Sequence, residues 1–234
     1  MTSTSSALAS ATGRLLATAR ALPAEAWPAP SLCAGWTRAH VLAHLALNAE
    51  GLAGVLRGFR DGSPVTMYPS DEARDGDIDV LAAEPAGVVL DRLVAGCAAL
   101  DEVVDVAEGL ARGTTFERTP GGRLMPADAV PFLRLREVEI HHADLGAGYS
   151  WADWPMDTAR QFLRDDGDRW RSEGFHVEAT DARYSWTFGY AAARGPGTHT
   201  VTGPIRALAW WATGRDPGSV LSSSEGTLPS LEGR

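Results

Sequence analysis

The sequence predicts an α+β protein, with a helix bundle over residues 1–149 followed by a small α+β domain over residues 150–234. Apolar residues recur at helical spacing through the first two-thirds of the chain, with cap and breaker residues at the ends of those stretches. The last third changes to short runs of strand character between turn residues. The bundle is expected to hold four or five helices, with the boundary between Gly148 and Trp154.

Ser5 to Ala21 is rich in Ala and Leu and stops before Pro23, as a first helix would. Thr37 is a good N-cap for a second helix running to Arg60, ended by Asp61-Gly62. Ser70 caps a third, whose first turn carries Asp71 and Glu72, where acids suit the helix dipole. Glu84-Pro85 interrupts it, and a long apolar helix is expected from Gly87 to Ala107. Thr119-Pro120-Gly121-Gly122 reads as a turn. A further helix runs from Asp128 to Leu145 and ends at Gly146. Beyond the boundary, Pro155 to Glu173 reads as a helix, and His176 to Asp181 and Tyr184 to Gly189 read as strands. Gly197 to Gly203 reads as a third strand and Gly203-Pro204 begins a helix ending at Gly214. The tail from Ser222 is polar and expected to be loosely held.

Net charge is −9 and there is no basic run, which argues against nucleic acid as a partner. All 21 basic residues are arginine, so Schiff-base lysine chemistry and the usual phosphate-binding loop are excluded. Arginine suits carboxylates, which it grips with two parallel hydrogen bonds. The two cysteines, Cys33 and Cys97, make no disulfide framework; Cys33, just before a helix, has a nucleophile as its alternative reading, but both are expected to pack as small hydrophobes. No signal core or membrane-spanning stretch is expected, so a cytoplasmic protein with no membrane partner is the expectation, with a monomer as the starting assumption and the oligomeric state left open by the sequence.

Two helices carry polar residues on faces that should be apolar. In the second, Val41, His44, Leu45, Asn48, Leu52 and Val55 share a face, which turns His44 toward the bundle core. In the helix from Asp128, Val130, Leu133, Arg134, Glu137, His141 and Asp144 share a face, and Glu137 and His141 stand one turn apart. One histidine from the facing helix would complete a three-ligand site whose fourth position is open, the arrangement of catalytic zinc. The competing reading makes Glu137 and His141 a solvated pair and His44 a core histidine bonded to an oxygen. Asp144 is placed to orient His141. His142, off that face, is expected to be exposed, and His40 to be peripheral. Trp210 and Trp211 read as core.

The segment Ser31-Leu32-Cys33-Ala34-Gly35-Trp36-Thr37-Arg38-Ala39-His40-Val41-Leu42-Ala43-His44 resembles the signature of the mycothiol-dependent maleylpyruvate isomerases. That family lies in the DinB-like metal-binding bundle superfamily. Arg136-Glu137 through His141-His142-Ala143-Asp144 is similar to its second metal motif, and Met67-Tyr68 through Arg74 resembles the isomerases more narrowly. The closing Trp210-Trp211-Ala212-Thr213-Gly214-Arg215 is similar to the end of the family's C-terminal domain, which resembles sterol-carrier folds.

The resemblance implies an up-down four-helix bundle with zinc on His44, Glu137 and His141, and Arg74 and Arg215 as substrate-binding and catalytic arginines. It also implies mycothiol as thiol cofactor and a maleylpyruvate-to-fumarylpyruvate isomerisation in gentisate breakdown. Adding a thiolate to a cis double bond makes it a single bond that can rotate; eliminating the thiolate then leaves the trans isomer. A bound metal favours the thiolate, and arginines suit both the dicarboxylate and the enolate charge. Two other readings remain: a mycothiol S-transferase on the same scaffold, or a non-catalytic metal- or thiol-binding module. Taken alone, Arg74 reads as a surface ion pair with Asp71 or Glu72, and Arg215 as a helix C-terminal charge.

Overall fold

Ser3 opens the first helix, α1 (Thr4–Ala21), its hydroxyl accepting from the Ser6 amide at 3.2 Å. The computed structural model describes residues 3–171, 174–189, 198–216 and 218–231, which divide into two compact units, 2–149 and 150–234. The architecture is α+β, as expected.

In the first unit, α2 (Arg38–Arg60) begins at Thr37 in a reciprocal cap. The Thr37 hydroxyl accepts from the His40 amide, and His40 Nδ1 accepts from the Thr37 amide at 3.3 Å. His40 is therefore part of a helix cap, where it was expected to be peripheral. The helix is buried almost all round, with Val41, Leu42, Leu45, Ala46 and Val55 fully enclosed. It is long and apolar enough to cross a membrane, with a mean hydropathy of 1.2, contrary to the sequence expectation. That window is 78% buried within the fold, as in a core helix.

Ser70 caps α3 (Asp71–Ala82), and Pro85 precedes α4 (Ala86–Asp101). At Gly96 a Cβ would lie 2.9 Å from the Ala46 carbonyl oxygen, so a glycine lets α4 lie close against α2. The expected helix to Ala107 breaks at Asp101, and a short α5 (Val106–Gly109) follows. Past the break, Val103 and Val104 are both buried. The turn at 119–122 is the tip of a hairpin of β1 (Thr115–Glu117) and β2 (Leu124–Pro126), strands too short to show in the sequence. Amides of Met67 and Tyr68 donate to the carbonyls of Glu117 and Arg118, which fixes that segment beside the hairpin.

The last helix of the unit, α6 (Val130–Asp144), packs on α1 and α2 and is buried on both sides. His142, expected to be exposed, is 1% exposed: its Nε2 lies 2.8 Å from the Thr18 hydroxyl of α1. Glu139 on the same side receives Arg14 at 2.7 Å and the Tyr149 hydroxyl at 2.5 Å. A helix facing two neighbours needs no single apolar stripe, so helical spacing marks one buried face of α6 and not the other.

The second unit holds α7 (Met156–Arg169), β3 (Phe175–Ala179), β4 (Ser185–Phe188), β5 (Thr200–Gly203), α8 (Ile205–Ala212) and β6 (Ser222–Ser223). Its sheet has the order β4-β3-β5-β6, with β3 and β5 parallel and the other pairs antiparallel. The tail expected to be loose from Ser222 begins as this edge strand, with the Ser224 amide donating to Thr200 at 2.9 Å. The expected limits at Glu173 and Gly197 lie outside the described residues. Trp154, Phe162, Phe175, Phe188, Trp210 and Trp211 are buried and pack edge-on or tilted.

Candidate metal centre

Helical spacing turns His44 of α2 and Glu137 and His141 of α6 toward one point between the two helices. His44 Nε2 lies 2.8 Å from Glu137 Oε2, and His141 Nε2 lies 3.4 Å from the same oxygen. One ligand atom from each of the three falls within 4.8 Å of the others. Two imidazoles and a carboxylate around one point form a donor set suited to zinc, whose tetrahedral ligands lie roughly 3.3–3.5 Å apart. His44 is the deep member and Glu137 the outer one, with side chains 5% and 36% exposed.

Neighbouring side chains orient the three residues. Asp144 Oδ2 lies 2.9 Å from His141 Nδ1, which leaves Nε2 aimed at the cluster. Arg74 of α3 donates from Nη2 to His44 Nδ1 at 3.2 Å and pairs with Asp75, not with Asp71 or Glu72. Asp71 pairs instead with Arg118. The loop before α2 is tied to the end of α6: the Leu32 amide donates to the Asp144 carbonyl at 2.7 Å, and Arg38 Nε to the Leu145 carbonyl at 2.8 Å. Cationic donors at helix C-terminal carbonyls are favourable.

That tether brings in residues the spacing argument passed over. The Trp36 ring lies 5.5 Å from His44 and 6.5 Å from His141, an aromatic wall beside the cluster. Cys33, expected to be a buried hydrophobe, is half-buried; its thiol donates to Asp144 Oδ2 at 3.2 Å and lies 3.9 Å from His141 Nδ1. Tyr68 is buried with Arg74 and Arg118 over its ring, at 5.9 Å and 5.4 Å. Trp36, Cys33 and Tyr68 all stand inside the segments that carried the family resemblance, the one signal that pointed to them. Arg215 lies in the second unit, just after α8, with Nη1 donating to the Thr213 carbonyl at 3.3 Å.

The electrostatics follow from these contacts. Burial works to raise the Glu137 carboxyl, but hydrogen bonds from His141 and His44 outweigh it and hold it well below the usual range. Burial lowers His44, only partly offset by Glu137. Burial also works against a proton on His141, yet Asp144, Cys33 and Glu137 push its pKa well above the ordinary histidine value. Burial raises Tyr68, so its hydroxyl stays neutral.

Residues 8–146 match the family model described as the mycothiol maleylpyruvate isomerase N-terminal domain. Two solved structures are similar, one of a mycothiol-dependent maleylpyruvate isomerase and one of a histidine-to-alanine mutant of such an enzyme. Their identities are 25% and 24%, each with a TM-score of 0.77 over 97% of this chain and 93% of the other. A search of curated proteins returned no match.

Proposed function

The chain belongs to the mycothiol maleylpyruvate isomerase N-terminal domain family, and from that membership we propose a zinc- and mycothiol-dependent cis–trans isomerase of maleylpyruvate or a close cis-dicarboxylate. The observation that carries the reading is the convergence of His44, Glu137 and His141 from two helices to within 4.8 Å. A solvated surface pair does not explain it, because His44 is 4% exposed and comes from the opposite helix. Zinc held there would supply Lewis acidity and keep a coordinating thiol deprotonated.

The chain's own residues do the remaining work. Asp144 fixes the ring and tautomer of His141. Arg74 is the candidate grip for a substrate carboxylate and the charge that offsets an enolate. Its hydrogen bond to His44 uses the Nδ1 lone pair, whereas a metal on Nε2 makes Nδ1 the N–H. The two arrangements exclude each other, so with a metal held by His44 the Arg74 guanidinium would be available to take a substrate carboxylate. Tyr68, whose ring lies 5.9 Å from the Arg74 guanidinium, limits where that guanidinium can go. Arg215 is proposed as the second arginine of the site.

The raised His141 pKa sets the pH dependence of metal binding. Metal requires the Nε2 lone pair, so below that pKa each ion must displace a proton. Apparent zinc affinity is expected to rise with pH, by up to about tenfold per pH unit, and to flatten above the raised His141 pKa. A chelator-competition titration at several pH values measures it; a flat profile would remove His141 from the ligand set.

The activity test is absorbance-monitored conversion of maleylpyruvate by purified protein of known zinc content, with and without mycothiol. Conversion that needs both zinc and mycothiol is expected. Zinc-loaded protein without conversion overturns the isomerase reading, and consumption of mycothiol by an added electrophile would then identify an S-transferase.

A further inference from the structure

We propose that a cavity between α1 and α4, with the buried guanidinium of Arg134 in its wall, is a second binding site, for a small apolar monocarboxylate. The cavity measures about 320 Å³ and is walled by Leu8, Leu16, Val94, Leu100 and Val104, a size that suits a ligand of roughly ten heavy atoms. Arg134 is 1% exposed. Its guanidinium donates to Asn48 Oδ1 at 2.7 Å and to Cys97 Sγ at 3.6 Å, and Cys97 lines the cavity.

Both partners are neutral, and no ion pair involves Arg134 among the described residues. Arginine stays charged when buried, and a buried charge without a counter-ion is costly. Of the five N–H donors on a guanidinium, these bonds occupy two. The arrangement lacks an anion, and the space beside it is apolar. A carboxylate accepts two parallel bonds from a guanidinium, and a hydrocarbon body fills the walls. One arginine balances one negative charge, and the exposed Asp101 at the rim disfavours multiply charged anions. A phosphate or dicarboxylate therefore fits less well than a monocarboxylate.

The inference does not rest on the isomerase reading, because no proposed zinc ligand lines the cavity. Octanoate is the probe and 1-octanol the uncharged control, both followed by isothermal titration. One octanoate per chain is expected, bound at least about tenfold more tightly than octanol. Ala98→Trp, at an exposed position of the cavity wall, is expected to weaken octanoate binding at least about tenfold with an unchanged circular dichroism spectrum. Arg134→Met, if it folds, is expected to bind both probes equally. His44→Ala is expected to bind octanoate like the parent, which separates this site from the metal centre. No saturable binding, equal binding of octanol by the parent, binding that survives Ala98→Trp, or loss in His44→Ala alone would each overturn the proposal.

Discussion

His44→Ala is expected to lower zinc affinity by about a thousandfold and to abolish maleylpyruvate conversion with it. His44 is the one proposed ligand of the three that comes from α2, and its Nε2 lies 2.8 Å from Glu137. Without it, Glu137 and His141 remain one turn apart on α6, and two ligands on one helix cannot enclose an ion. Losing a group that merely supports a ligand costs 10–100-fold in affinity, so losing the deepest ligand should cost more. Alanine is the best helix former, and no wild-type partner is left charged at depth, since Glu137 keeps His141 and is the outer member of the cluster. The fold should therefore survive, and circular dichroism checks that. Stoichiometric zinc in the folded variant would remove His44 from the centre.

Arg74→Ala is expected to reduce kcat/KM by about 10²–10³-fold, or ~3–4 kcal/mol of transition-state stabilisation, with zinc content unchanged. The guanidinium is within hydrogen-bond reach of a candidate ligand, and its side chain is 18% exposed. A cation so placed can touch both substrate and developing charge. Arg74→Lys should recover little, because an ammonium cannot make the two parallel bonds of a guanidinium. Zinc measured on the same samples separates the roles: a fall in metal content would make Arg74 a support for His44 instead of a substrate residue.

Much of the bundle was readable because its cues are local. Thr37 and Ser70 cap the helices they were expected to cap, and Pro85 and Gly146 stand at the ends expected of them. Caps act within one turn, so neighbouring residues suffice to find them. The spacing of Glu137 and His141, and the inward face of His44, follow from helical periodicity in the same way. The break at Asp101 was missed because apolar residues continue past it, and the hairpin at 115–126 because three-residue strands leave no periodic pattern. His142 was misplaced because its burial depends on α1, more than a hundred residues earlier.

From sequence came the ligand types, their spacing and the family resemblance, since each is carried by residues close together in the chain. The distances across helices came from the fold: His44 against Glu137, Arg74 against His44, and Cys33 against Asp144. So did the isolation of Arg134 of α6 between Asn48 of α2 and Cys97 of α4, a buried charge whose bonded neighbours come from two other helices. Periodicity states which way a side chain points. What it meets there depends on how closely the facing helices approach, and packing of the whole unit sets that.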